Sequence, residues 1–514
     1  MKTFAAIDVG SYELSMKIFE LSDKNKMREI DHIRHRIDLG TETYSTGKLS
    51  YEKVNELCGI LRKYKEIMKT YGAIDYKAYA TSAIREMENN DIVLDQITQR
   101  TGILVEVLSN SEQRYLDYKS IALRGEEFDR MLEKGTAVVD IGGGSIQISL
   151  FDKGTLTTTQ NLKLGVLRLR ERLGRINART AQVEELLGEI DDAQLSVLGK
   201  LYIKDRVVDN IILVDDYLSG RLEEGKETKE KTGYITSTEY SRFMESLRNK
   251  SNGEIGAKLG VSEESAGLIF ISAVLLNRIL AITGADLIWA PGVTLCDGIA
   301  YEYAQQQKMV ISEHDFEKDI VDCALNISKR YMGSRKRAET LESLTTTIFN
   351  STKKLHGLGR REKLYLKIAA ILHDCGKYIS LVNLGECSYQ IIMATEIIGL
   401  SHMEREIVAN VVRFNHEDFL YYEELSHATL LDKQAFLTVA KLTAILRIAS
   451  GLDRSHKQKF KDVRAVLKDR ELILTVDSKE DITLETGLFG DRAEFFEEVF
   501  NVKPVLRLKR SFNL

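Results

Sequence analysis

Two short stretches of this chain carry residue types that can grip phosphate and hold a cation. The first is Ala6-Ile7-Asp8-Val9-Gly10-Ser11 and the second is Val138-Val139-Asp140-Ile141-Gly142-Gly143-Gly144-Ser145. In each, an apolar run ends in an aspartate, passes through glycine and serine, and resumes as an apolar/polar alternation. The alternation is Leu14, Met16 and Ile18 after the first stretch, and Ile146, Ile148 and Leu150 after the second. This pattern predicts strand, tight turn, strand. Such a turn directs backbone N–H groups toward one point, and glycine lets an anion approach closely. The neighbouring aspartate can hold a divalent cation or orient a water. Two copies imply two related lobes facing one polyphosphate.

The elements that must position these loops alternate strand and helix. In residues 1–125, strands are expected at 4–8, 14–20, 28–38, 77–80 and 103–108. A helix is expected from about Ser50 to Tyr71, capped by Ser50, with Val54, Leu57, Leu61, Tyr64 and Met68 as its apolar stripe. In residues 126–305, strands are expected at 136–140, 146–151, 155–164, 210–214 and 286–290, and helices around 167–173, 183–200, 266–283 and 297–303. Alternation of this kind defines an α/β fold. Residues 305–308 read as a linker. Helical periods then dominate 312–458, at 316–331, 338–355, 361–373, 389–398, 404–414 and 434–452. Residues 459–514 mix strands at 463–467, 472–476 and 505–508 with a helix at 492–500, which makes a small α+β module.

At 514 residues the chain can build several cores. A net charge of −5 argues against a dedicated nucleic-acid binder, so no DNA partner is expected. The five cysteines are scattered with no CxxC pair, which indicates neither a zinc site nor a disulfide framework and fits a reducing cytoplasm. The N-terminal apolar run meets Asp8 too early for a signal-peptide core, and no apolar run of about 18 residues predicts a membrane span.

Further stretches narrow the reading. Ala80-Thr81-Ser82-Ala83-Ile84-Arg85-Glu86 sits at a strand end, and Val107-Leu108-Ser109-Asn110-Ser111-Glu112-Gln113-Arg114-Tyr115 crosses from strand to helix. With the two loops, these resemble the exopolyphosphatase / guanosine pentaphosphate phosphatase (Ppx/GppA) family of the actin-like ATPase superfamily. That family shows a T-S-A-x-R-E stretch, a glutamate at this strand–helix junction and a D-I-G-G-G-S loop. Arg36 and the stretch Leu164-Gly165-Val166-Leu167-Arg168-Leu169 also fit. The resemblance implies two actin-like (ribonuclease H-like) α/β lobes, 1–125 and 126–305. An all-α HD-like domain at 312–458 and the small C-terminal module would follow.

The resemblance further implies Mg²⁺-assisted hydrolysis of a phosphoanhydride. Glu112 would orient the attacking water, and Asp140 would act with it. Asp140, Asp8 and Gln147 would hold the cation. Ser11, Arg85, Gly142, Gly143, Gly144 and Ser145 would grip phosphates. A carboxylate suits the orienting role, and a guanidinium fork suits phosphate oxygens. The plain alternatives are a first-turn helix glutamate for Glu112 and a salt bridge to Glu86 or Glu88 for Arg85. The implied substrate is inorganic polyphosphate or guanosine pentaphosphate, and the implied assembly is a homodimer.

The chain also departs from the family pattern. Tyr12-Glu13 stands where Asn-Ser is usual, and Ile146-Gln147 where Thr-Glu is usual. Asp215-Asp216 replaces a G-x-G-G turn, and the usual Arg-Glu before Gly298 is missing. These departures favour the competing reading, a non-catalytic sensor of polyphosphate or nucleotide. In the helical part, His373-Asp374 resembles the pair of an HD-type phosphohydrolase, but Thr340, Cys387-Ser388 and Ser450 stand where further ligands are expected. The pair is therefore expected to brace its helix. Basic clusters at Arg335-Lys336-Arg337, Arg360-Arg361 and Lys457, Lys459, Lys461, Arg464 read as a solvated face or as a track for a polyanion.

Overall fold

A computed structural model describes residues 2–22, 26–73, 75–176, 182–219, 222, 233–312, 314–460 and 462–509. The chain forms two compact units, Met1–Phe316 and Glu317–Leu514.

The first unit is built on two sheets. Strands β1 (Lys2–Val9), β2 (Glu13–Ser22), β3 (Lys26–Arg36), β4 (Asp75–Ala80) and β5 (Glu106–Val107) lie in the order β3-β2-β1-β4-β5. Strands β6 (Thr136–Ile141), β7 (Ile146–Asp152), β8 (Thr155–Leu162), β9 (Asn210–Asp215), β10 (Tyr234–Thr236) and β11 (Leu287–Trp289) lie in the order β10-β11-β9-β6-β7-β8. Read from its β8 edge, the second sheet repeats the first, and β10 is an added antiparallel edge. In both, the strand before the loop pairs antiparallel with its successor and parallel with the next crossover strand. The duplication seen in the loops is thus a duplication of whole sheets.

The helices of this unit are α1 (Gly40–Thr46), α2 (Tyr51–Thr70), α3 (Ser82–Glu86), α4 (Asn90–Thr101), α5 (Asn110–Ala122), α6 (Glu126–Leu132), α7 (Val166–Arg175), α8 (Val183–Leu198), α9 (Ser237–Leu247), α10 (Asn252–Leu259), α11 (Glu263–Thr283) and α12 (Leu295–Gln306). The expected cap on α2 forms, with the Ser50 side chain accepting from Lys53 N. Alternation along β1 sends Ala5, Ile7 and Val9 into a core with Val54, Leu57, Leu61 and Tyr64 of α2. Phe4 and Ala6 go into another core, with Leu116 of α5 and Leu295 and Ile299 of α12. Full burial of each large apolar side chain stabilises by about 1.5–3 kcal/mol, so β1 is anchored from both faces. The strand expected at 103–108 is reduced to the two residues of β5, and the T-S-A-x-R-E stretch runs into helix α3.

The second unit is mainly helical: α13 (Phe316–Arg330), α14 (Arg335–Ser351), α15 (Lys353–His356), α16 (Arg360–Leu372), α17 (Leu384–Ala394), α18 (His402–Phe414), α19 (Tyr422–Ala428) and α20 (Lys433–Leu452). Strands β12 (Val463–Lys468), β13 (Glu471–Val476) and β14 (Lys503–Leu508) form a small sheet in the order β12-β13-β14. Helix α21 (Thr483–Phe500) is twice the expected length and packs along α20. By length and composition α11 and α20 could cross a membrane, but 72% and 78% of their apolar windows are buried in their own cores.

Candidate active site

The two loops turn in the same way. Gly10 N donates to Glu13 O at 3.1 Å, and Gly142 N donates to Ser145 O at 3.0 Å. The carbonyl of the next residue, Ser11 or Gly143, accepts from two successive backbone N–H groups: Leu39 and Gly40 in one lobe, Leu167 and Arg168 in the other. By this register Ser11 corresponds to Gly143, Tyr12 to Gly144 and Glu13 to Ser145. The serines of the two motifs are therefore not equivalent, and the first loop carries a tyrosine where the second has a bare backbone.

The second loop is pinned from one side. Val166 N donates to Gly142 O, Leu167 N to Gly143 O and Arg168 Nε to Gly144 O, each at 3.0 Å. Because a peptide is planar with C=O and N–H opposed, the N–H groups of Gly143, Gly144 and Ser145 point the other way. Gly165 permits this approach: a Cβ there would lie 2.2 Å from Gly144 C. Over the loop, Ser11 Oγ, Tyr44 Oη and Ser82 Oγ stand 2.9–3.0 Å from one another. A Cβ on Gly144 would meet that tyrosine hydroxyl at 2.4 Å. Arg168 also pairs with Glu86 at 2.5 Å, and Arg170 pairs with Asp38, so two guanidinium groups tie the lobes together.

Below the hydroxyls lies a group of carboxylates. Asp8 and Asp140 are partly buried at the ends of β1 and β6, and Asp117 of α5 is 5% exposed. Asp8 Oδ1 and Asp117 Oδ2 are buried with no hydrogen-bond partner. Burial first, then the charges of Asp216, Glu13 and Asp140, push the Asp8 pKa well above the usual carboxylate range. Burial and the charges of Asp140, Asp216 and Asp8 do the same to Asp117. Asp140 rises to about 8 through burial and the charges of Asp216 and Asp215, while Arg114 and Arg85 pull the other way. Each carboxylate is thus destabilised by burial and by neighbouring carboxylates, which is the electrostatic setting a divalent cation relieves.

Among the described residues no three His, Cys, Asp or Glu side chains form a protein-only metal cluster. Mg²⁺ needs none, since it commonly takes one or two carboxylates and completes its shell with water and substrate phosphates. Asp8, with its orphaned oxygen, and Asp140 suit that donor set. Gln147 does not. It is buried opposite Asp140 in the β6–β7 ladder, and its Oε1 accepts from Arg114 Nε at 3.0 Å. Arg114 also donates to Thr159 Oγ1. The carbonyl oxygen of Gln147, expected to hold the cation, is engaged by a guanidinium, whose charge works against a metal at that oxygen.

Glu112, expected to orient the water, stands at the start of α5. It is the N3 member of a capping box on α5: Ser109 Oγ accepts from Glu112 N at 3.3 Å, and Glu112 Oε2 accepts from Ser109 N at 2.9 Å. The first-turn reading describes its place. Arg85 does reach the site, where NH1 donates to Leu108 O at 2.7 Å and contacts Gln113 Oε1 at 3.4 Å. Glu86 pairs with Arg168, and Glu88 with Lys48 at 3.6 Å. Asp215, one of the two residues that replace the G-x-G-G turn, is turned inward: it accepts from the Tyr217 and Leu218 N–H groups and from Ser272 Oγ. Asp216 remains exposed, and Gly220 lies outside the described residues. Asp117 and Arg114 were not singled out from the sequence. The available signal was two charged residues placed among the apolar positions of one helix.

In the helical unit, His373 and Asp374 are buried. His373 Nδ1 bonds to Ala370 O at 2.8 Å, and His416 Nε2 bonds to His373 O at 2.6 Å. Arg337, from a cluster expected on the surface, is 7% exposed and lies 3.3 Å from Asp453 Oδ2, while Lys377 pairs with Asp374. Lys459 is likewise held by Glu485 at 2.8 Å, and Lys461 lies outside the described residues.

Two sheets of one topology, each carrying a glycine loop beside an aspartate, define a two-lobed, actin-like fold. Residues 18–306 match the Ppx/GppA phosphatase family and residues 322–491 match domain III of Ppx/GppA phosphatases, so the chain belongs to that family. It is 22% identical over 492 residues to a guanosine-5'-triphosphate,3'-diphosphate pyrophosphatase of Photobacterium profundum, covering 92% of this chain and 91% of that protein. It is 28% identical over 202 residues to exopolyphosphatase 1 of Mycobacterium leprae, covering 37% of this chain and 57% of the relative. A bifunctional 3-dehydroquinate synthase/phosphatase of Fusobacterium nucleatum matches at 23% identity over 55% of this chain, which spans only 44% of that relative. The crystal structure of an exopolyphosphatase from Cytophaga hutchinsonii superposes with a TM-score of 0.53 at 20% identity, over 60% of this chain and 100% of that one. That likeness shows the fold.

Proposed function

We propose that this protein is a Mg²⁺-assisted phosphohydrolase that releases the terminal phosphate of inorganic polyphosphate. The observation that carries the reading is the group of uncompensated carboxylates, Asp8, Asp117 and Asp140, beside a glycine loop that presents backbone N–H groups. A protein that only bound a polyanion would gain nothing from those charges, whereas hydrolysis needs a cation and an oriented water. Bound Mg²⁺ would be held by Asp8 and Asp140 and would neutralise phosphate charge. The N–H groups of Gly143, Gly144 and Ser145 would meet the oxygens of the transferred phosphoryl group, with Arg85 beside them. Ser11, Tyr44 and Ser82 would exchange their mutual hydrogen bonds for phosphate oxygens as substrate enters. A homodimer and a cytoplasmic setting belong to the same proposal.

A second substrate, guanosine pentaphosphate, is supported by similarity along nearly the whole chain to guanosine-5'-triphosphate,3'-diphosphate pyrophosphatases. Initial rates of phosphate release from long-chain polyphosphate and from guanosine pentaphosphate, each with Mg²⁺, separate the two. Faster release from polyphosphate is expected. Binding of both with release from neither would replace the hydrolase reading with the sensor.

A further inference from the structure

We infer that Asp117, on α5, is the carboxylate that orients the attacking water, a role resting on the hydrolase reading above. Helical spacing decides between the two acidic residues of α5. Residues four apart share a face, so Glu112 lies with Leu116, whose side chain is packed in the core with Phe4, Ala6 and Leu295. Asp117 lies with Gln113, which contacts Arg85. Arg114, three residues before Asp117, reaches Gln147, the cross-strand partner of Asp140. The helix face bearing Asp117 is therefore the one turned to the catalytic loop, and the face bearing Glu112 is turned away from it.

The bonding pattern agrees. Glu112 has an oxygen engaged by the helix cap. Asp117 is 5% exposed and has a buried oxygen with no partner. The charges that act on it most strongly are those of Asp140, Asp216 and Asp8, the carboxylates of the cleft. An unsatisfied buried carboxylate oxygen costs stability, and a water held for reaction would satisfy it. Asp117 also enters from a third element, whereas Asp8 and Asp140 belong to the two loops. An attacking water must approach the phosphorus roughly in line with the leaving oxygen, so it needs a holder apart from the groups that grip the phosphate. In the step, the water oxygen forms a bond to the terminal phosphorus as the bridging P–O bond breaks. The shortened polyphosphate leaves with the bonding electron pair. One water proton passes to Asp117 and then to solvent, and the other stays on the released phosphate.

The test compares the full-length protein with Asp117→Asn and Glu112→Gln, using long-chain polyphosphate and Mg²⁺. Phosphate release, polyphosphate binding and thermal melting are measured on each. Asp117→Asn should lower turnover by about 10²–10⁴-fold. Its polyphosphate affinity should stay within about threefold, and its melting temperature should not fall, because a buried carboxyl with a raised pKa costs stability at neutral pH and asparagine does not carry that cost. Glu112→Gln should keep turnover within about twofold, since glutamine also serves the N3 position of a capping box. Asp117→Asn with undiminished turnover would overturn the inference. So would a loss of turnover accompanied by a lower melting temperature and lost binding, which marks a structural role. Loss of turnover in Glu112→Gln at an unchanged melting temperature would return the role to Glu112. A wild-type protein that releases no phosphate would bring down the hydrolase reading and this inference together, whereas an active wild type with an active Asp117→Asn removes the inference alone.

Discussion

In the two-lobed unit, burial and neighbouring carboxylates raise the pKa of Asp8, Asp117 and Asp140, against the pull of Arg114 on Asp117 and of Arg114 and Arg85 on Asp140. In the helical unit, Asp374 and Asp453 are more deeply buried than Asp8 and Asp140 but are met by Arg337 and Lys377. The consequence is opposite in sign. Burial works against the Asp374 charge, yet His373, Lys377 and Arg337 outweigh it and hold its pKa below the ordinary carboxylate value. The Asp140 pKa goes up to about 8. Buried carboxylates that a protein needs only for architecture are neutralised in place. Carboxylates left in mutual repulsion are costly to the fold, and the cost is relieved by something that arrives from outside.

The sharpest break of this comparison is Arg337→Met. It leaves Asp374 and Asp453 short of a counter-charge in a buried site, and the helical unit should lose about 3–5 kcal/mol of stability. Denaturant unfolding followed by hydrogen exchange in α14, α16 and α20 reads this directly. Phosphate release below the new melting temperature should be unchanged, and a parallel loss of turnover would show that the two groups are not independent. The converse change, Asp140→Asn, should leave the protein at least as stable while phosphate release drops by about 10²–10³-fold. A destabilised Asp140→Asn would mean that the cleft carboxylates are structural after all.

Acidity separates the two regions with less amplitude. For Asp140 the folded pKa is raised from 3.8 to about 8, so the folded state keeps a proton that the unfolded chain has lost between those values. Its contribution to stability is full below about pH 4 and is lost as pH rises through about 8. For Asp374 the folded pKa is lowered, so its contribution is present above pH 3.8 and is lost as pH falls through the folded value. Exchange protection should therefore decline with rising pH in β6 and with falling pH in α16. Asp140→Asn should flatten the first profile only.

The two-lobed plan was legible because it depends on local chemistry: an apolar run, an aspartate and a glycine turn written twice. Except for β10, the strands of both sheets and helix α2 followed from period and capping. What escaped were helices such as α1, α3, α4, α6, α9, α10 and α19, the edge strand β10, and the partners of individual side chains. The family resemblance gave Glu112 its water-orienting role, and the capping box at the same position is the first-turn place that the residues alone implied. Gln147 looked like a cation ligand until Arg114, 33 residues away, was found bonded to it. Arg337 looked solvated in a basic run, yet helical phase turns it inward toward Asp453. Long-range pairing of this kind has no signature in a single sequence.

The smallest expected effect tests what arrives from outside. If the cleft carboxylates await a divalent cation, Mg²⁺ alone should stabilise the two-lobed unit and leave the helical unit unmoved. For a site with a millimolar Kd, about 5 mM Mg²⁺ adds roughly 1 kcal/mol. The gain should grow as pH approaches and passes about 8, since a proton on Asp140 competes with the cation. Hydrogen exchange at β1, β6 and α5, compared with α14 and α16, measures both units in one sample. Asp8→Asn combined with Asp140→Asn should abolish the gain at β1 and β6. Equal protection of both units by Mg²⁺ would be a general salt effect and would erase the distinction between a neutralised site and one that waits to be filled.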